Sequence, residues 1–134
     1  LAAGAQRAAL LPVAVASHTP RLAAAVPSLR AAIMEQRPRQ PRTEAILLTA
    51  LDGSPVFDVA AGADALARQV ATSLRWNACL DAAVERGGNT FLELGPGRAL
   101  VDMARTAYPV IPARSLDDFR SRDGVLAWLA RNQP

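Results

Sequence analysis

The segment TFLELGPGRALVDMARTA, residues 90–107, contains a strand, a tight turn and a helix in that order. Residues 90–94 predict a strand, Gly95-Pro96-Gly97 marks a turn, and residues 98–107 predict a helix. Residues 109–112 predict a further short strand, which its flanking prolines assign to a sheet edge. Strands that alternate with helices in this way predict an α/β fold with mainly parallel strands.

The same alternation extends over the rest of the chain. Apolar runs at residues 10–16 and 44–51 predict buried strands, the second of which ends at the Asp52-Gly53 turn. The spacing of apolar residues predicts helices at residues 21–34, 63–74, 76–86 and 122–131.

Three features predict details of these helices. Thr19 and Pro20 suit the N-cap and first position of helix 21–34, while Pro27 either kinks that helix or shifts its start. Leu66, Val70 and Leu74 predict the buried face of helix 63–74, with Asp64 in its first turn. Val125, Leu126, Trp128 and Leu129 predict the buried face of the last helix.

Composition excludes several classes of protein. The chain has 134 residues, of which 51% are hydrophobic and 20% charged, so it can bury a core. Its apolar runs are shorter than a membrane helix requires. All 15 basic residues are arginines, and the net charge is +3. Only Arg37, Arg39 and Arg42 are clustered, and the other arginines are spread along the chain. Aromatic residues make up only 4%. Nucleic-acid binding is therefore not expected.

The single cysteine, Cys79, cannot form an internal disulfide and has no companions with metal-ligand spacing. We predict a small buried apolar role for it, no metal site, and a reducing, cytoplasmic location. The chain begins at Leu1 without a signal-peptide pattern, and we therefore expect it to be a fragment or a processed product.

His18 is the only histidine, and it lies between the predicted strand 10–16 and the following helix. Histidine readily exchanges a proton at neutral pH, which suits a general base. No serine or cysteine stands in a recognisable nucleophile motif, so the residues alone leave a catalytic and a purely structural histidine equally open. Gly95-Pro96-Gly97 lacks phosphate-loop spacing, which favours a structural turn.

Three segments in this order resemble the malonyl-CoA:acyl carrier protein transacylase family. They are LPVAVASHTP at residues 11–20, ALARQ with LRW at residues 65–76, and FLELGPGRAL at residues 91–100. Residues 17–20 and 112–120 most resemble one branch, the epsilon subunit of malonate decarboxylase. The resemblance covers nearly the whole chain and corresponds to the C-terminal part of the family's sequence.

The resemblance implies a chemistry for His18. In this family a serine in a GxSxG-type elbow attacks the malonyl thioester of malonyl-CoA, and a histidine accepts and returns the proton. The malonyl group then passes to the phosphopantetheine-type thiol of an acyl carrier protein, with no bound cofactor. His18 matches the general base, and Gln69 matches the residue whose backbone carbonyl orients it. Ala16 and Ser17 are expected to line the substrate site.

The resemblance also implies what this chain does not contain. The GxSxG serine, the arginine that pairs with the malonyl carboxylate and the oxyanion-hole loop belong to the family's N-terminal half. Arg68, Arg75 and Arg98 do not match that arginine. Residues 1–16 would end a small ferredoxin-like subdomain, and residues 17–134 would form the C-terminal part of an α/β-hydrolase-like large subdomain. We expect the N-terminal half to pack against the chain, which alone should be inactive.

Other functions remain open at this point. A transacylase of fatty-acid synthesis and an acyltransferase domain of a polyketide synthase would use the same residues with another carrier. A non-catalytic interaction domain with an incidental histidine is the alternative from a different class, and a basic nucleic-acid binder is the weakest. A parent sequence without a GxSxG motif upstream of Leu1 would favour the interaction domain. Loss of heparin or DNA binding at physiological salt would exclude the nucleic-acid binder.

Overall fold

A computed structural model describes residues 15–132 of the chain, together with Gly4. Residues 10–14 of the predicted strand 10–16 and most of the predicted subdomain at residues 1–16 lie outside the described residues. The described helices are α1 (Val26–Glu35), α2 (Val59–Gln69), α3 (Trp76–Glu85), α4 (Ala99–Ala107) and α5 (Arg122–Asn132). The strands are β1 (Leu47–Leu48), β2 (Pro55–Val56), β3 (Phe91–Glu93) and β4 (Ala113–Ser115).

The four strands of the described residues form two separate pairs. β1 and β2 form an antiparallel hairpin in which Leu47 pairs with Val56. The Asp52-Gly53 turn closes it, with the Ser54 N–H donating to Asp52 Oδ1 at 3.0 Å. β3 and β4 are parallel and are joined through α4, with Leu92 paired to Arg114. The mixed α/β class is therefore confirmed, but only one of the two strand pairs is parallel.

The core lies where α3 and α4 meet the parallel pair. Its buried members are Leu80, Val101, Ala104 and Ala113, and Trp76, Phe91 and Tyr108 pack against them. Cys79 is also buried, and burial raises the pKa of its thiol, which stays protonated and behaves as a small apolar group. The predicted helices at 76–86 and 98–107 thus agree with α3 and α4 to within one residue at either end.

Helix α2 departs from the prediction at both ends. It begins at Val59 because Asp58 is its N-cap and accepts a hydrogen bond from the Ala61 N–H at 2.9 Å. Its buried face consists of Ala63 and Ala67, the latter fully buried, whereas Leu66 is 51% exposed. The predicted leucine and valine stripe is therefore wrong, because α2 buries small side chains and ends at Gln69, before Val70 and Leu74.

Asp64 is also not in the first turn of α2. It lies in mid-helix, where its carboxylate forms ion pairs with Arg30 of α1 at 3.8 Å and Arg68 at 3.7 Å. These pairs are about half-exposed, so they contribute little to stability. They do connect the outer faces of the two helices.

The remaining differences follow from proline and loop geometry. Residues Pro20–Ala25 form a 3-10 helix, and the α-helix begins at Val26 with Pro27 in its first turn, where the missing N–H costs nothing. The edge strand predicted at residues 109–112 is wrong. Those residues turn, and the strand is Ala113–Ser115, which pairs with β3. In the last helix Trp128 is buried, but Leu126 is exposed.

Candidate functional site

His18 lies in a turn against the C-terminal end of α2. Its backbone is in the left-handed region, with φ of 61°, which is uncommon for any residue other than glycine. The His18 N–H donates to the carbonyl oxygen of Val70, the C-cap residue of α2, at 2.8 Å. The last carbonyls of a helix lack partners within the helix, so this end of α2 can anchor the turn.

A second bond fixes the imidazole ring. His18 Nδ1 lies 2.6 Å from the backbone carbonyl oxygen of Gln69. A carbonyl oxygen can only accept, so Nδ1 must carry the hydrogen. In the neutral ring Nε2 then holds the free lone pair, and the side chain is exposed to solvent. The geometry therefore presents an imidazole that can accept a proton at one defined atom.

The residues around His18 form a compact turn. Thr19 Oγ1 donates to the Ala16 carbonyl at 2.8 Å, and the Leu22 N–H donates to the Thr19 carbonyl at 3.1 Å. Thr19 has the extended backbone of an N-cap, but its side chain does not cap the helix, so that part of the prediction is wrong. Ala16 and Ser17 are both exposed next to His18.

The Gly95-Pro96-Gly97 loop is occupied by contacts within the protein. The Gly97 N–H donates to Asp117 Oδ2 at 2.9 Å, and Ser115 Oγ donates to the Gly97 carbonyl at 2.6 Å. Glu93 accepts from the Val101 N–H at 2.8 Å, which caps the start of α4 with a carboxylate. The Gly97 main-chain groups and the Val101 N–H are thus bonded within the protein, which is what a structural turn requires.

A buried carboxylate, Asp118, organises the arginines beside this loop. It contacts Arg98 at 3.0 Å, Arg105 at 3.3 Å and Arg114 at 3.8 Å, and accepts from the Ser115 N–H at 3.1 Å. Burial raises the pKa of Asp118, but the Ser115 bond and the charges of Arg98 and Arg105 outweigh it and hold the pKa below its ordinary value. Arg98 is thus committed to a structural ion pair.

Two apolar cavities lie beside the strands in the described part of the chain, and His18 lines neither of them. The larger, of about 480 Å³, lies between β1 and β3. The smaller, of about 320 Å³, lies between the hairpin and α2, and Gln69 is in its wall.

Among the described residues, no three histidine, cysteine or carboxylate side chains cluster as metal ligands, and no helix has the length and apolarity to cross a membrane. The site therefore offers a positioned base beside exposed turn residues.

Sequence reasoning identified His18 and Gln69, which the structure brings into contact, and it missed the Val70 carbonyl. A main-chain acceptor leaves no side-chain pattern in the sequence. Only the position at which α2 ends could have indicated the Val70 carbonyl. Sequence reasoning also assigned no role to Glu93. A glutamate six residues before the first residue of a helix has no recognisable capping spacing.

Known proteins resemble the chain in sequence and in structure, although no protein-family model matches it. A malonyl-CoA–acyl carrier protein transacylase of Mycobacterium tuberculosis is 32% identical over 110 residues, which cover 82% of this chain and 36% of that protein. An acyl-carrier-protein S-malonyltransferase from Burkholderia pseudomallei superposes with a TM-score of 0.80 and 30% identity, over 94% of this chain and 40% of the other.

These matches support the malonyl-CoA:acyl carrier protein transacylase family. A further malonyl-transacylase, solved in complex with a type II PKS acyl-carrier protein, has a TM-score of 0.80 and 25% identity, over 98% of this chain and 41% of the other. The chain thus spans little more than a third of the length of the curated transacylases it matches. Its similarity to the solved transacylases extends over nearly all of its own length.

Proposed function

We propose that this chain supplies the general base of a malonyl-CoA:acyl carrier protein acyltransferase, and that His18 is that base. One observation carries the proposal, namely the 2.6 Å contact between His18 Nδ1 and the Gln69 carbonyl oxygen. That contact leaves Nε2 as the proton acceptor and fixes the ring without an acidic partner. A base held by a third group is the arrangement expected of nucleophilic catalysis.

The reaction proceeds in two matched halves. His18 Nε2 takes the proton of a serine hydroxyl as the serine oxygen bonds to the malonyl carbonyl carbon. The carbon–sulfur bond to coenzyme A breaks, and the departing thiolate receives that proton. In the second half the phosphopantetheine-type thiol of the carrier gives its proton to Nε2, and its sulfur replaces the serine oxygen on the malonyl acyl carbon. Nε2 then returns the proton to the departing serine oxygen, which restores the serine hydroxyl and the neutral ring. No bound cofactor takes part.

The serine belongs to a companion segment, which we define as the part of a transacylase that this chain does not span. We propose that the segment carries the GxSxG serine, the arginine for the malonyl carboxylate and the oxyanion hole. We call the protein that unites it with this chain the parent enzyme. Within it, residues 17–134 form the C-terminal part of the α/β-hydrolase-like large subdomain. Ala16 and Ser17 line the substrate site, and the enzyme acts in the cytoplasm.

The carrier protein that accepts the malonyl group distinguishes the branches of the family. Residues 17–20 and 112–120 favour the epsilon subunit of malonate decarboxylase, whose acceptor is the decarboxylase's own acyl carrier subunit. The relatives found by comparison are named as transacylases of acyl carrier proteins in general, which favours a broader acceptor. Malonyl transfer should therefore be compared between the decarboxylase carrier and a fatty-acid carrier. Preference for the decarboxylase carrier supports the branch, and preference for the other carrier rejects it.

The test of the base uses the parent enzyme. We expect His18→Ala to reduce malonyl transfer from malonyl-CoA about 10²–10⁴-fold, the usual loss of general base catalysis. His18→Asn is the matched variant, because asparagine tolerates the left-handed backbone and so separates loss of the base from backbone strain. Gln69→Ala is the control and should retain transfer, since its carbonyl belongs to the main chain. Near-normal transfer by both His18 variants would reject the proposal.

A further inference from the structure

Hydrogen bonds of two kinds hold the turn that carries His18. The His18 N–H and Nδ1 bind the carbonyl oxygens of Val70 and Gln69, which any residue at those two positions would present. The Thr19 hydroxyl, in contrast, donates to the Ala16 carbonyl at 2.8 Å, and this bond requires a hydroxyl at residue 19. Of these bonds, that of Thr19 alone depends on the identity of a side chain other than His18.

The Thr19 hydroxyl closes this turn instead of capping the helix that follows. Thr19 is the N-cap residue of the 3-10 helix Pro20–Ala25, where a threonine oxygen commonly accepts a main-chain N–H, but no such bond forms among the described residues. Its hydroxyl bonds three residues back, to the carbonyl that a β-turn commonly offers to the main-chain N–H of its fourth residue. His18 is the third residue of this turn, so the hydroxyl bond spans it.

Closure of the turn matters because the backbone of His18 is unfavourable. Its φ of 61° lies in the left-handed region, which persists in a histidine only where the surrounding contacts fix it. Pro20 restricts the preceding residue to an extended backbone, and Thr19 accordingly has φ of −131° and ψ of 155°. A β-branched side chain has few rotamers, so the hydroxyl is held towards Ala16. Thr19 and Pro20 together therefore stabilise the backbone from which the imidazole reaches Gln69.

We propose that Thr19 is a positioning residue for His18, and that its hydroxyl bond keeps Nδ1 on the Gln69 carbonyl and the lone pair on Nε2. This inference rests on the proposed function, in which Nε2 is the proton acceptor. A neutral imidazole released from Gln69 can carry its hydrogen on either nitrogen, and a ring with the hydrogen on Nε2 cannot accept a proton there. Loss of the hydroxyl should therefore reduce the fraction of competent rings. Because His18 serves both half-reactions, kcat should fall while KM for malonyl-CoA stays the same.

Kinetics of malonyl transfer by the parent enzyme test the proposal with matched variants. Thr19→Val keeps the shape of the side chain and favours the extended backbone, but it removes the hydroxyl. Ser28→Ala is the control, because the exposed Ser28 hydroxyl makes the same kind of bond, to the Ala25 carbonyl three residues back at 3.0 Å.

We expect Thr19→Val to lower kcat about 3–10-fold, the factor that one neutral hydrogen bond contributes to an equilibrium, with KM unchanged. Thr19→Ser keeps the donor and should restore kcat, and Ser28→Ala should retain it. Equal kcat in Thr19→Val and Ser28→Ala, or a loss carried by KM, would overturn the proposal.

The nitrogen NMR shifts of the His18 ring separate positioning from a purely structural role, in the absence of substrate. They are measured in the parent enzyme at a pH where the ring is neutral, and they are assigned by their absence from His18→Asn. Thr19→Val should move the Nδ1 and Nε2 shifts towards each other, because the two tautomers then interconvert, whereas Ser28→Ala should leave them in place. Unchanged ring shifts in Thr19→Val, with or without a lower melting temperature, would overturn the proposal. Thr19→Ala replaces Thr19→Val if the latter does not fold, and the same shifts are expected of it.

Failure of this inference and failure of the proposed function give different results. If Thr19→Val alters the ring shifts but both His18 variants transfer malonyl groups normally, the function is rejected and the positioning of His18 by Thr19 is retained. If transfer depends on His18 but Thr19→Val leaves the ring shifts unchanged, the function is retained and the positioning role is rejected.

Discussion

Replacement of Glu93 should destabilise the chain through the start of α4. Its carboxylate accepts from the Val101 N–H at 2.8 Å and from the Leu100 N–H at 3.4 Å. The first bond is a good charge-assisted bond, worth about 1.5–3 kcal/mol, and the second is too long to add much. We therefore expect Glu93→Ala to lower the free energy of unfolding by about 2 kcal/mol. Glu93→Gln keeps an acceptor but loses the charge, and should cost about half as much.

Urea unfolding followed by tryptophan fluorescence measures this difference. With a slope of about 1.5 kcal/mol/M, a loss of 2 kcal/mol shifts the midpoint by ~1.3 M. Glu85→Ala is the control, because Glu85 is exposed at the last residue of α3, where a carboxylate faces the negative end of the helix dipole. It should be neutral or slightly stabilising. If Glu93→Ala and Glu85→Ala shift the midpoint equally, Glu93 does not act as a cap.

Three further predictions concern turns and titrating groups. The pKa of Asp118 lies below its ordinary 3.8, so the ionised carboxylate stabilises the fold above that pH and this stabilisation is lost as the pH falls. Asp118→Asn should therefore flatten the acid side of a profile of melting temperature against pH. The pKa of Tyr108 is raised by its hydrogen bond to a carboxylate, so that bond is lost as pH rises beyond 10.0, and Tyr108→Phe should flatten the alkaline side. Gly53→Ala should lower the free energy of unfolding in urea by about 2 kcal/mol or more, because its φ is +79° and a Cβ would lie 2.6 Å from the Ala78 carbonyl oxygen. Gly87→Ala is the control and should lower it less, because the space around Gly87 is open.

Local sequence signals predicted the elements that depend on local interactions. The Gly87-Gly88 stop and the Asp52-Gly53 turn lie where expected, and α3 and α4 match their predicted helices closely. The predictions failed for elements whose extent depends on pairing with another part of the chain. The apolar run at residues 44–51 forms only a two-residue strand, which is the length over which β2 pairs with it.

The candidate site was predictable only in part. A lone histidine between a strand and a helix pattern identifies a candidate base, and the family resemblance identified Gln69 as its neighbour. The left-handed backbone of His18 and the Val70 carbonyl arise from the way the turn meets the end of α2. Such main-chain interactions carry no side-chain pattern, so they could not be derived from residue types.

The local character of both strand pairings has a consequence for folding kinetics. β1 and β2 are joined by one turn, and β3 and β4 by one helix, so neither pairing has to close a long loop. Low contact order favours rapid formation. The hairpin and the β3–α4–β4 unit should therefore acquire amide protection early and independently, which pulse-labelled hydrogen exchange can resolve. The hairpin and the β3–α4–β4 unit would then form first, and their docking against each other would come last.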